Sequence, residues 1–182
     1  HRRFACFNLV DNYRWIADGG PSPRRLLYEV PASAEERVAE LLEGLGVRAE
    51  DRLVAFQLGA SRAIRRWPTE SFSEVARSLA AEGLRPVLIG GGGDRELAAE
   101  VAGRVGDRAV DLCGRTDVAG LGALLRRCTS LVTGDTGPMH MAAAVGTPIV
   151  GLFFGPALPQ DTGPYGEGHV VLHEPVPCPP CE

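Results

Sequence analysis

The chain has 182 residues, 45 % of them hydrophobic, which suits one compact domain with a real core and an extra arm. A formal net charge of −4 gives no overall basic field to attract nucleic acid, and no apolar run reaches the roughly 18 residues that suggest a membrane span. All 19 basic residues are arginine, which reads as codon bias but still excludes a P-loop and a pyridoxal Schiff base, both of which need lysine.

The first residue is His1 rather than a methionine, so the chain reads as a fragment and the absence of a visible signal peptide carries no weight. Residues 1–32 hold Pro21, Pro23, Pro31 and the pair Gly19-Gly20 and read as an irregular arm or linker. The stretch from Ser33 to Gly46 predicts a helix, with Ser33 as N-cap, Glu36 completing a capping box, and Val38, Leu41, Leu42 and Leu45 as the apolar stripe. Strands and helices then alternate. Strands are predicted over 52–59, 86–90, 109–113, 130–134 and 148–155, with a last one over 169–173. The helices between them run from Thr69 as cap to Gly83, over 94–105, from Asp117 as cap to Cys128, and over 138–145 with Gly146 beyond. Apolar strands bounded by glycine and separated by helices predict a parallel sheet covered on both faces, an α/β, Rossmann-like doubly wound domain.

The five cysteines do not form a disulfide framework. Cys6, Cys113 and Cys128 are single, and the last two sit beside apolar segments as buried thiols do. Cys178 and Cys181 make a C-x-x-C, but zinc would need two more ligands and no metal is assigned to them.

Ligands of doubly wound sheets bind beyond the carboxyl ends of the strands. Three loops there carry chemistry. Residues 59–68, Gly-Ala-Ser-Arg-Ala-Ile-Arg-Arg-Trp-Pro, offer the Ser61 hydroxyl and three arginines that can fork onto phosphate, unless they are a solvated basic loop with Trp67 as packing. Residues 90–96, Gly-Gly-Gly-Gly-Asp-Arg-Glu, permit positive φ and a close backbone approach; Asp94 either caps the helix or, with Glu96 as the other choice, takes a ribose hydroxyl. Residues 133–140, Thr-Gly-Asp-Thr-Gly-Pro-Met-His, set Pro138 in the first turn of a helix whose N-terminus favours an anion. Thr136 donates a hydroxyl there, Gly137 admits a ligand, and His140 sits one turn in. Phosphate would repel Asp135, so its partner is expected to be a neutral sugar hydroxyl. Capping by Asp135 or Thr136 and a satisfied core histidine is the plainer alternative. Together the loops predict an electropositive pocket that also accepts hydrogen bonds from hydroxyls, a description that a nucleoside diphosphate sugar meets.

The loop at 59–68, the strand and glycine run before Glu96, the Leu112-Cys-Gly-Arg-Thr-Asp117 segment, and above all residues 134–156 resemble the ADP-heptose:lipopolysaccharide heptosyltransferases, glycosyltransferase family nine. That resemblance implies half of a GT-B enzyme: residues 1–32 as an interdomain arm, residues 33–182 as the C-terminal donor domain, and an N-terminal acceptor domain, with its aspartate base, outside this chain. It implies that Asp135 contacts donor sugar hydroxyls and that Thr136 and Gly137 bind the diphosphate. It puts His140 on the sugar side, Ser61 at a phosphate-contacting hydroxyl and Arg65 where the family commonly has a lysine. Asp94 or Glu96 falls near the acid that takes the ribose, and Thr116 beside the base pocket. Arg65 and Asp135 are thereby assigned catalytic roles. The implied reaction is an inverting transfer of heptose from ADP-heptose to a lipopolysaccharide or other glycan acceptor, without metal or resident cofactor, in the cytoplasm or at the inner face of the bacterial inner membrane. Without the N-terminal base this chain is expected to bind donor and transfer little. A non-catalytic sugar-nucleotide-binding module and an epimerase-like enzyme are the rival expectations.

Overall fold

The structure, a computed structural model, describes residues 8–17, 25–154 and 158–174. Cys6, Gly19, Gly20, Pro21, Pro23, Gly155, Pro156, Cys178 and Cys181 lie outside the described residues.

Six strands form one all-parallel sheet: β1 (Leu53–Gln57), β2 (Arg85–Ile89), β3 (Val110–Asp111), β4 (Cys128–Thr133), β5 (Ile149–Phe153) and β6 (Val170–His173). Their order is β3-β2-β1-β4-β5-β6. The direction of winding reverses between β1 and β4, the switch point where such sheets open a crevice. Gln57 pairs with Ile89, and Phe56 with Val132, so the strands flanking that point end at nearly one level and release their loops together.

The helices are α1 (Leu9–Ile16), α2 (Ala32–Gly44), α3 (Thr69–Ala81), α4 (Arg95–Val105), α5 (Val118–Arg127), α6 (Gly137–Val145) and the short α7 (Pro159–Thr162). The period-two alternation of β1 divides the core. Leu53 and Ala55 pack in one cluster with Val38 and Leu42 of α2, Leu124 of α5 and Met139 and Ala142 of α6. Val54 and Phe56 pack in the other with Phe72 and Ala76 of α3 and Ala98 and Val101 of α4. The sheet is therefore covered on both faces, as the unbroken apolar strands predict. Cys113 and Cys128 are buried, and burial raises each thiol to about 12, so both are inert packing residues at neutral pH.

Several local expectations are corrected. The arm is not irregular throughout, because α1 occupies Leu9–Ile16. Asn8 Oδ1 accepts from Val10 N–H at 3.0 Å at its start, and Tyr165 donates to Asp11 at 2.6 Å and accepts from Arg14 at 3.1 Å. Ser33 and Thr69 are first-turn residues rather than caps, since Pro31 and Pro68 stand at the N-cap positions in extended conformation. Proline already fixes the φ needed there. Thr69 Oγ1 donates instead to Glu100 at 2.8 Å. Asp117 does cap α5, its Oδ1 accepting from Gly120 N–H at 2.6 Å. The strand expected over 109–113 is only Val110–Asp111, because Asp111 turns its carboxylate onto Cys113 N–H at 2.9 Å and ends the extended run.

Candidate functional site

A cleft of about 460 Å³ opens over the switch point, lined by Gln57, Gly59, Ala60, Ser61, Arg65, Asp94, Asp135, Thr136, Gly137 and His140. The loops after β1, β2 and β4 supply its walls. Edge-to-face packing of Trp67 on Phe72, with ring centroids 5.0 Å apart, seats the end of the first loop on α3. A single turn of 3-10 helix, Ala63–Arg65, then brings Arg65 back toward β4. Its carbonyl oxygen lies so near Gly134 that a Cβ there would sit 3.2 Å from it. This close crossing carries the Arg65 side chain to the start of α6, where Nη1 donates to Asp135 Oδ2 at 3.3 Å.

The three arginines of the loop separate. Arg66 turns back and donates from Nε and Nη2 to the Ala60 carbonyl at 3.3 Å, fixing the loop, and Arg62 is exposed away from the lining. Arg65 alone of the three enters the cleft, and its buried Nε has no partner among the described residues. Among the described residues the lining holds one arginine beside Asp94 and Asp135, so the loop's three arginines do not together make the pocket electropositive. The arginine charge that the sequence places in one loop is spent partly on holding that loop's own backbone.

At α6, Thr136 is the N-cap by position, with φ −144° and ψ 163°, but its side chain caps nothing. Its hydroxyl pairs with the buried Thr133 hydroxyl at 2.9 Å, which leaves the amide end of a nine-residue helix uncapped at the cleft. Gly137 has open space where a Cβ would project, so the approach to that terminus is clear. An uncapped helix N-terminus bearing partial positive charge is suited to an anion.

The glycine run at 90–93 does not use positive φ. Its role is close approach. Asp94 Oδ2 accepts from Gly91 N–H at 2.8 Å, and the carboxylate lies where Cβ atoms of Gly59 and Gly90 would be. Asp94 therefore stands at the N-cap position of α4 without a side-chain cap and stretches across the ends of β1 and β2 instead. Glu96 and Thr116 do not line the cleft: Glu96 is exposed in the first turn of α4, and Thr116 lies beside Gly120 at the start of α5. Ser61, Arg65, Asp94, Asp135, Thr136, Gly137 and His140 are brought together.

The Glycosyltransferase family 9 (heptosyltransferase) model matches residues 23–182. The chain belongs to glycosyltransferase family 9. Lipooligosaccharide heptosyltransferase 2 of Haemophilus influenzae is 29 % identical over 161 residues, an alignment covering 86 % of this chain and 46 % of that protein. The crystal structure of a family 9 glycosyl transferase from Veillonella parvula superposes with a TM-score of 0.85 at 30 % identity, covering 91 % of this chain and 49 % of the other. The E. coli ADP-heptose LPS heptosyltransferase II gives a TM-score of 0.74 at 28 % identity, over 86 % of this chain and 48 % of its own. The chain thus spans about half the length of the relatives it matches.

Within this family 9 cleft, sequence reasoning missed Gln57. It is only 6 % exposed, donates from Nε2 to the Gly59 carbonyl at 3.1 Å, and leaves Oε1 without a partner among the described residues. A polar residue at the last position of an otherwise apolar strand was the available signal.

Proposed function

We propose that this chain is the donor-binding part of an inverting glycosyltransferase that uses a nucleoside diphosphate sugar, ADP-heptose, to glycosylate a lipopolysaccharide or related glycan. The observation that carries the reading is the convergence of Arg65, Asp135 and the uncapped N-terminus of α6 in one cleft at the switch point. The family membership and the ADP-heptose named for the E. coli relative support that donor.

In this reading the diphosphate lies at Thr136 and Gly137, where the helix terminus and the Arg65 guanidinium meet its charge. Ser61 adds a hydroxyl. Asp94 accepts from the ribose, and Asp135 and His140 face the sugar. An acceptor hydroxyl attacks the anomeric carbon, the bond from that carbon to the diphosphate oxygen breaks, and the configuration inverts. The acceptor and the base that takes its proton belong to the other half of the family's length. Negative charge grows on the leaving diphosphate, and groups held in place before the reaction stabilise it, which assigns the electrostatic work to Arg65 and α6 and calls for no metal. The reading puts the enzyme in the cytoplasm or at the inner face of the inner membrane, where its donor and acceptor would meet. Among the described residues no helix is long and apolar enough to cross a membrane.

Calorimetric titration with ADP, GDP and UDP and then ADP-heptose tests the reading. ADP is expected to bind selectively, with ADP-heptose tighter. Arg65→Ala should weaken both by about tenfold or more, since a charge-assisted contact is worth about 1.5–3 kcal/mol. Asp135→Ala should weaken ADP-heptose while the melting transition is retained. Normal ADP-heptose binding by both variants would refute the site.

A further inference from the structure

The cleft contains an internal competition that its proposed role does not require. Among the described residues Arg65 is the only arginine in the lining, and it is already engaged by Asp135 at 3.3 Å. Arg66 is committed to the Ala60 carbonyl and Arg62 lies outside, so neither replaces it. Asp135 is itself largely buried, its side chain 14 % exposed, and Arg65 donates to its carboxylate. Asp135 immediately precedes the N-cap of α6, so an anion at that helix terminus becomes a close neighbour of the carboxylate. A diphosphate that takes Arg65 therefore strips a poorly solvated carboxylate of its partner and places like charges side by side.

We propose that Asp135 sets the preference of this cleft for a sugar nucleotide over a free nucleoside diphosphate, by competing with the diphosphate for Arg65. The inference rests on the donor-site reading above and adds a specificity element to it. A sugar on the terminal phosphate brings hydroxyl groups that donate to Asp135 once Arg65 has turned to the phosphates, so the carboxylate exchanges one donor for others. A free nucleoside diphosphate carries an additional negative charge and no such hydroxyls. It meets Asp135 unrelieved. The same contact that admits the donor disfavours the leaving product, so loss of the sugar by transfer weakens retention of the nucleotide. The Arg65–Asp135 pair thus acts as a gauge of whether a sugar is attached.

The test is titration of the 182-residue chain with ADP and with ADP-heptose, for the native protein, Asp135→Asn, Asp135→Ser and Asp135→Glu, each checked for a native melting transition. The uncharged variants are expected to bind ADP about fivefold tighter than the native protein, the effect of removing one neighbouring like charge in a partly screened site. They should bind ADP-heptose more weakly, so that the preference for the sugar nucleotide falls by about tenfold or more. Asp135→Glu keeps the charge and should keep the weak ADP binding. Unchanged or weaker ADP binding by a folded uncharged variant overturns the inference while leaving the donor site in place. A native chain that binds neither ligand overturns both. Asn and Ser differ in size and hydrogen bonding, so either folded variant suffices.

Discussion

Individual residues in the cleft are held by backbone geometry more than by side-chain partners, and Gly59 shows this most clearly. A methyl group at Gly59 would occupy the position of the Asp94 carboxylate, and one at Gly90 would lie 2.6 Å from Asp94 Oδ2. Gly59→Ala must therefore drive Asp94 out of its seat and break its acceptance from Gly91 N–H. The expected cost is about 1–3 kcal/mol, the usual range for overpacking. The double variant Gly59→Ala/Asp94→Ala should be more stable than Gly59→Ala alone, because the clash has been removed along with the carboxylate. Urea unfolding of the two variants measures the difference, and additive losses would show that Asp94 is not what the glycine accommodates. The sequence made the glycine run legible as a place of close approach but not what approaches, since the occupant is Asp94 itself. Likewise the pattern around Asp135, Thr136 and Gly137 was legible because proline and glycine mark a helix start. The fate of Arg62, Arg65 and Arg66 was not, because it depends on one turn of 3-10 helix and on how near the Arg65 carbonyl passes to Gly134.

Among the elements, α6 presents the anion-facing terminus, and its far end shows how such a short helix is kept. It is nine residues long and ends at Gly146, which takes φ 82° and ψ 17° and donates to Ala142 and Ala143 carbonyls. A Cβ at Gly146 meets nothing within 4 Å, so Gly146→Ala would be strained only through its left-handed backbone. The expected loss is about 1 kcal/mol, seen as a lower melting temperature. Nucleotide affinity should stay unchanged, because the cleft lies at the other end of α6; weakened ADP binding would mean that the helix moves as a unit when its C-terminus is perturbed. The order of strands and helices was legible from alternation alone, since each apolar run is bounded by glycine or by a charged, helix-forming stretch. Helix starts were less so. Hydroxyl residues look like caps at Ser33 and Thr69, yet the preceding prolines already supply the extended conformation that an N-cap needs. Helix α1 was hidden for a different reason: Tyr165, which binds Asp11 and Arg14, is more than a hundred residues away in the chain.

Over the whole molecule, the ligand-facing cleft and the Asp51 ion pair lie at opposite ends of the sheet. The cleft lies beyond the carboxyl ends of β1 and β4, whereas Asp51 sits just before β1, accepting from Arg48 N–H at 3.0 Å and from Arg85 at 2.9 Å. These bonds hold its carboxyl well down, at about 2 against an ordinary 3.8, the Arg48 backbone bond contributing most and Arg85 next. A carboxyl depressed in the fold binds fewer protons there than in the unfolded chain. Its contribution is therefore present above about pH 4 and is lost as pH falls toward 2. His169, just before β6, shifts in the same sense for a different reason: burial pushes it below its ordinary 6.5, partly opposed by a hydrogen bond to the Tyr165 backbone. Its neutral form belongs to the fold, so stability is full above about pH 6.5 and declines as pH drops below that value. Melting temperature should accordingly fall in two steps on acidification. His169→Gln should flatten the step between pH 7 and 5. Asp51→Asn should lower the melting temperature at pH 7 and bring it toward that of the native chain by pH 2.5. Because Asp51 is remote from the cleft, Asp51→Asn at pH 7 should leave ADP affinity within about twofold, as expected for distant sites without shared partners. A large loss of affinity in that variant would show that the two ends of the sheet are energetically coupled, and that the staple at the amino ends also holds the loops in which Arg65 and Asp135 meet.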